Sequence, residues 1–101
     1  MTDKNILLEE TFSYFSGLIR VTFDDSNLTL SDATDTVRAI ETVTTARSVG
    51  AEDAQENVIT LSIKLRTLLS GPDAFNYVRK KALAFSGIDK VEIGTKTITK
   101  V

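Results

Sequence analysis

Charged side chains that are adjacent in the sequence are the first candidates for chemistry in this chain. Glu9-Glu10 and Asp24-Asp25 are paired carboxylates, and Arg79-Lys80-Lys81 is a run of three cations. Neighbouring positions on a helix point in different directions, so Glu9 and Glu10 are poorly placed for acid–base work between them. A calcium loop needs oxygen ligands at several alternating positions, which Asp24-Asp25 does not supply. These pairs therefore predict neither a catalytic site nor a metal site.

Missing residue types narrow the chemistry further. The chain has no cysteine and no histidine, which removes thiol nucleophiles, zinc–thiolate sites and the commonest general base. It also lacks a glycine-rich phosphate loop and a Gly-x-Ser-x-Gly elbow. We expect no enzyme activity, no cofactor and no small-molecule substrate. With 101 residues, 42% of them hydrophobic, the sequence predicts one small domain, and no apolar run is long enough for a membrane span.

Residues 51–70 carry the clearest periodic pattern. Their apolar residues recur at steps of three and four, which is the spacing of one helical face: Ala51, Ala54, Val58, Leu61, Leu65 and Leu68. Gly71-Pro72 follows directly and is typical of a helix end. The pattern predicts a central core helix, and a coiled-coil seam shared with another chain is the alternative.

Three further stretches have helical patterns. Residues 3–16 place Leu8, Phe12 and Phe15 on one stripe, which either anchors the helix to the core or docks it on a neighbouring molecule. Residues 31–48 begin at a good N-cap but are rich in threonine, so this helix should depend on packing for its order. Pro72 suits the start of a last helix that ends at Gly87.

Alternating residues predict short β-hairpins near 18–30 and 91–99. One helix over residues 4–23 and one longer C-terminal strand are the alternatives. The predicted fold is therefore α+β and mainly α, with three to four helices around the central helix 51–70. Residues 1–101 are expected to form a single small domain with an extended C-terminal arm, 88–101. We expect deletion of residues 91–101 to leave a largely helical, folded protein that no longer assembles.

Charge is unevenly distributed, although the net charge is only −2. Residues 1–58 contain four basic and eleven acidic groups, whereas residues 59–101 contain eight basic and three acidic ones. The two halves either pair within one molecule or bind head to tail between identical subunits. The run Arg79-Lys80-Lys81 is either a solvated helix face or a contact for phosphate or an acidic partner. Beyond that phosphate contact, the sequence does not indicate nucleic-acid binding.

The C-terminal part resembles a known family. A leucine-rich helix, a helix over Phe75–Phe85 and a segment from Gly87 to Ile98 with the pattern Gly-x-x-x-apolar-x-apolar-Gly are together similar to the ending of tailed-phage head–tail connector proteins. The resemblance implies a ring-forming virion protein whose helices line subunit contacts and whose extended end meets a neighbour. It also implies a location in the virion or the host cytoplasm.

These observations lead to two functional hypotheses. The first is a non-enzymatic structural assembly protein, a subunit of a homo-oligomeric ring such as a head–tail connector or neck component. The alternative is a small binding module, a regulator or inhibitor that engages a basic protein through its acidic N-terminal face. The residues expected at the subunit interface are Val91, Ile93, Ile98, Lys90, Lys96, Lys100, Phe12 and Phe15.

Overall fold

The described part of the chain contains four strands and two helices, in the order strand, helix, strand, strand, helix, strand. The computed structural model describes residues 11–49 and 57–101. The elements are β1 (Ser13–Phe23), α1 (Leu30–Arg38), β2 (Val43–Ser48), β3 (Val58–Thr67), α2 (Gly71–Leu83) and β4 (Ile88–Lys100).

The strands form one antiparallel sheet in the order β2-β3-β1-β4. β1 and β3 are central, while β2 and β4 are the two edges. Each helix joins two strands that run in the same direction with a third strand inserted between them. This βαββαβ succession is the split βαβ, or ferredoxin-like, arrangement.

The prediction of a mainly α fold is wrong. Strands make up 48% of the described residues and helices 26%. The predicted central helix is largely β3, because residues 58–67 are a strand, and residues 51–56 lie outside the described part. Leu61 and Leu65 fit a helical stripe, but Ile59 and Ile63 complete an alternating row on one face of a strand. The β-branched residues in this segment favour the strand.

The other N-terminal predictions are also corrected. Residues 3–10 of the predicted helix 3–16 lie outside the described residues, and Ser13 already begins β1. The predicted hairpin at 18–30 divides into the end of β1, a turn and the first residue of α1. The helix predicted over 31–48 ends at Arg38, because threonine-rich residues 42–45 lead into β2.

The C-terminal third is predicted more closely. α2 confirms the last helix: the Ser70 side chain caps its N-terminus, Pro72 lies in its first turn, and Gly87 follows with a φ of 96°. The hairpin predicted at 91–99 is wrong, since β4 is one strand paired with β1. The longer C-terminal strand, kept as the alternative, is the arrangement found.

The core lies between the two helices and one face of the sheet. Odd-numbered residues of β1 and β3 point into it, whereas their even-numbered neighbours point to the opposite, helix-free face, which we call the open face. α2 packs closely on β1 at one point: a Cβ on Gly17 would lie 2.8 Å from Cζ of Phe75, so this position has room only for glycine. The fully buried side chains with the largest volumes are Phe23, Phe75, Ile19, Leu61, Ile63 and Leu65.

Candidate functional site

The hydrogen bonds of the central strands determine which backbone groups remain at the edges of the sheet. The Phe23 amide donates to the Asn57 carbonyl, 2.9 Å away, so the odd-numbered backbone groups of β1 face β3. Its even-numbered groups therefore face β4, and the Val101 amide accordingly donates to the Tyr14 carbonyl at 2.8 Å. Along β4, successive residues turn their backbone N–H and C=O groups alternately toward β1 and away from the sheet. By this alternation the backbone groups of Val91, Ile93 and Lys100 face outward.

α2 caps the outward carbonyl of Val91. Arg79 Nε donates a hydrogen bond to this oxygen at 3.1 Å. Arg79 lies one helical turn after Phe75, so it flanks the stripe that Phe75, Val78 and Ala82 bury in the core and can reach the edge of the sheet. The outward carbonyl of Val91 is therefore satisfied within the chain.

α1 does the same at the other edge of the sheet. Arg38, its last residue, donates from Nε to the carbonyl oxygen of Ala46 in β2, at 2.8 Å. The Arg38 guanidinium also forms an ion pair with Asp35, 3.2 Å away. Val49 donates to Thr60 at 3.1 Å, so by alternation the backbone groups of Ala46 face away from β3. A charged side chain over an edge carbonyl blunts the short β2 edge against pairing.

The second half of the β4 edge has no such cap in the part of the chain that the structure describes. A bulge over residues 95–98 separates the pairs Leu18–Gly94 and Ser16–Thr99. The Thr97 hydroxyl holds the bulge: it accepts from the Leu18 amide at 2.9 Å and donates to the Gly94 carbonyl. On either side of the bulge, the outward groups of Ile93 and Lys100 remain open.

The apolar interface residues predicted in the arm mostly pack within their own chain. Val91 is 3% exposed and belongs to the core. Ile93 and Ile98 are half-buried against it, and Ile98 approaches both Gly17 and Gly71. Residues 88–100 are thus a strand of the sheet and not a free arm, and the expectation that the chain folds without residues 91–101 stays a prediction. What these residues offer a partner is the outward backbone rather than their side chains.

The predicted lysines are all exposed. Lys90 pairs with Glu92 on the open face, 3.5 Å between Nζ and Oε2. Lys96 lies in the bulge, and Lys100 lies at the end of β4. Lysines along an edge strand are a common protection against unwanted pairing.

The two predicted interface aromatics lie near the start of β1. Phe12 is half-buried beneath the guanidinium of Arg66, 3.7 Å from the ring centroid. Phe15 packs against the core and approaches Gly71 at the start of α2. Phe15 therefore helps to anchor α2, while Phe12 belongs to the surface.

The predicted phosphate contacts do not act together. Arg79 reaches Val91, Lys80 is exposed, and Lys81 Nζ lies 5.4 Å from the Tyr77 ring centroid. The Tyr77 hydroxyl donates to Glu41, and this hydrogen bond raises the pKa of Tyr77. The run therefore divides into an edge cap, a solvated lysine and a lysine beside an aromatic ring.

A different basic group was not visible in the sequence pattern. Arg47, Lys64 and Arg66 lie on the open face of β2 and β3, with Thr45 opposite Lys64 and Ser62 opposite Arg47. The predicted helices placed Arg47 on one element and both Lys64 and Arg66 on another, where residues two positions apart point in different directions. Only the strand register brings them onto one face.

The carboxylates form a turn rather than a metal site. Asp24 accepts hydrogen bonds from the Ser26 amide and hydroxyl and from the Asn27 side chain. The Ser26 hydroxyl is the largest cause of a lowered pKa for Asp24. Within residues 11–49 and 57–101, no group of three or more acidic side chains is arranged to hold a metal ion.

Comparison with known proteins does not supply a family. The chain matches no protein-family model and no curated protein. Neither of the helices that the structure describes is long and apolar enough to cross a membrane.

Proposed function

We propose that this protein is a non-enzymatic structural protein that assembles with copies of itself through the outer edge of β4. The observation that carries the proposal is the contrast between the edges. Arg38 caps one carbonyl of the six-residue β2, and Arg79 caps one carbonyl of the thirteen-residue β4, where the described residues leave the outward groups of Ile93 and Lys100 without a partner. An uncapped strand edge is a template for pairing with another chain.

The geometry favours a two-fold pair of β4 strands. A two-fold axis normal to the sheet would place β4 beside β4 of a second copy in antiparallel order, leaving Arg38 in place. A head-to-tail ring is the other arrangement, because β2 and β4 run in opposite directions and could also pair. The ring requires Arg38 to release Ala46. The predicted ring and its connector-like role are therefore the second form of the proposal.

The resemblance to head–tail connector proteins stays a prediction. Its helix over Phe75–Phe85 corresponds to α2, but its leucine-rich helix corresponds to β3. A location in the virion or host cytoplasm depends on that resemblance alone. The assembly proposal does not, because it is argued from the β4 edge.

A pair of variants at Lys100 tests the proposal. Lys100→Pro removes the outward amide proton, whereas Lys100→Thr removes the same charge and keeps that proton. Light scattering over a range of concentrations should find oligomers of the 11.1 kDa chain, dimers for the two-fold pair and larger closed species for a ring. Lys100→Pro should weaken assembly about tenfold or more, since a two-fold contact loses the bond twice. Lys100→Thr should assemble like the wild type.

Two outcomes would contradict the assembly proposal. One is a chain that stays monomeric at every concentration. The other is an oligomer that Lys100→Pro and Lys100→Thr affect equally.

The acidic binding module remains the second candidate. Asp25, Asp32 and Asp35 are exposed at the β1–α1 end of the molecule. A chain that is monomeric at all concentrations and binds a basic polypeptide would favour this function over assembly.

A further inference from the structure

We infer that the open face of the sheet binds single-stranded nucleic acid. The open face carries five basic side chains and one acidic one among the described residues: Arg20, Arg47, Lys64, Arg66, Lys90 and Glu92. Glu92, the single acidic side chain, already forms an ion pair with Lys90. The positive charge is a property of this face and not of the whole chain, whose net charge is −2.

The cations are concentrated over β2 and β3. Lys64 and Arg66 are two residues apart on one strand, which places them about 7 Å from each other along it. Arg47 extends the group across the neighbouring strand, opposite Ser62. In the structurally described part of the chain, no acidic side chain forms an ion pair with Lys64 or Arg47. These three cations form a patch that fits a polyanion.

Aromatic rings adjoin the same patch. Tyr14 lies opposite Arg66 in the β1–β3 register and is 47% exposed. Arg66 in turn lies over Phe12, 3.7 Å from the ring centroid. Proteins that bind single strands combine a basic surface with aromatic rings and arginine planes on which bases stack. Tyr14 and Arg66 supply both kinds of contact side by side.

The remaining side chains favour nucleic acid over an acidic protein. Hydroxyl groups surround the cations at Ser16, Thr45, Thr60, Ser62 and Thr99, and hydroxyls are common phosphate contacts. Leu18 and Val58 are only partly exposed, and they are the aliphatic residues at even positions of β1 and β3. A protein partner needs an apolar centre with its anchor residues, and this surface offers little of one.

Fluorescence anisotropy with a labelled oligothymidine tests the inference. Three phosphate contacts on a single strand predict that log K falls with log salt at a slope near −2, or about 20-fold between 50 and 200 mM salt. Arg47→Gln with Lys64→Gln should reduce the slope by about 1.4 and weaken binding at low salt. Tyr14→Thr should weaken binding about fivefold or more.

A matched control removes the same charge from the opposite layer. Lys80→Gln with Lys81→Gln alters exposed residues of α2 and should leave oligothymidine affinity nearly unchanged. Thermal unfolding of each variant checks that the fold is retained. Lys100→Pro leaves the open face intact and should bind oligothymidine like the wild type. Nucleic-acid binding and assembly through β4 can therefore be tested independently of each other.

Three results would overturn the inference. The first is the absence of oligothymidine binding at 50 mM salt. The second is an equal loss of binding in the α2 control. The third is competition by polyglutamate at the same concentration of charges as by unlabelled oligothymidine, which would identify an acidic polypeptide as the partner.

Discussion

Arg79 Nε donates a hydrogen bond to the carbonyl oxygen of Val91, reaching from α2 around the edge of the sheet to β4. Arg38 makes the equivalent contact from α1 to Ala46 of β2. Each helix thus caps the edge strand that follows it in the sequence. The two caps cover different fractions of their strands, because β2 has six residues and β4 has thirteen. The β4 edge stays open at Ile93 and Lys100, on either side of the bulge.

Removing the Arg79 cap should lower stability and extend the open edge. Arg79→Ala should cost about 1 kcal/mol and lower the melting temperature by about 4–8 °C, since the hydrogen bond to Val91 is lost. Lys80→Ala is the matched control, because Lys80 is an exposed neighbour without an edge contact. Thermal unfolding by circular dichroism measures both variants. Equal melting temperatures for the two would contradict a stabilising role for the Arg79 cap.

A substitution at Phe75 should restore part of the stability that is lost when Gly17 is replaced. Gly17→Ala places a Cβ 2.8 Å from Cζ of Phe75 and should cost about 1–3 kcal/mol. Phe75→Leu removes that ring atom, so the double variant should lose less than the sum of the two single changes. Urea unfolding of the four proteins gives the coupling free energy. Strict additivity would show that α2 does not pack on β1 at this point.

The hydroxyl of Thr97 should hold the β4 bulge. Thr97→Val keeps the shape of the side chain but removes the acceptor of the Leu18 amide, and should cost about 0.5–1.5 kcal/mol. Thr97→Ser keeps the hydroxyl and should recover most of that loss. Thr95→Val changes an exposed neighbour in the same bulge and serves as the control. A Thr97→Val variant no less stable than the Thr95→Val control would contradict a stabilising role for the Thr97 hydroxyl.

The Asp24 turn predicts a pH dependence with a definite sign. Its hydrogen bonds lower the folded-state pKa of Asp24 below the ordinary value of 3.8. The resulting stability is therefore present above about pH 4 and is lost as the pH falls through the folded-state pKa. Asp24→Asn should be less stable than the wild type at pH 7, and the difference should shrink towards pH 2. Asp25→Asn removes the same charge without these hydrogen bonds and should resemble the wild type at pH 7. A stability difference between the wild type and Asp24→Asn that grew on acidification would contradict this prediction.

The sequence predicts α2 and not β3 for a physical reason. Ser70, Pro72 and Gly87 are local signals of helix ends, and they act through backbone geometry that needs no tertiary contact. In β3, by contrast, Leu61 and Leu65 are four residues apart and also share one face of a strand. The spacing of these two leucines therefore fits both the 3.6-residue period of a helix and the two-residue period of a strand. Only pairing with β1 on one side and β2 on the other decides between them.

Most of the candidate sites depend on contacts between elements, which the sequence pattern does not contain. Lys96 and Lys100 indicated an edge strand from the sequence alone, and β4 is an edge strand. The sequence shows Arg79 only as part of a cationic run, because its contact with Val91 depends on how α2 lies beside β4. Arg47 and Lys64 gave no signal, since they share the open face only through the β2–β3 register. The register between two strands is set by their pairing in the folded chain and cannot be read from a local sequence pattern.

Amide hydrogen exchange at Ile93 and Lys100 tests assembly through β4 most directly. Both amides face outward, and the chain itself gives them no acceptor among the residues that the structure describes. The Val101 amide is an internal reference, because it donates to Tyr14 within the chain. As protein concentration rises, we expect exchange at Ile93 and Lys100 to slow in proportion to the assembled fraction measured by light scattering, while Val101 stays protected throughout. Fast exchange at Ile93 and Lys100 in a sample that light scattering shows to be oligomeric would contradict the account.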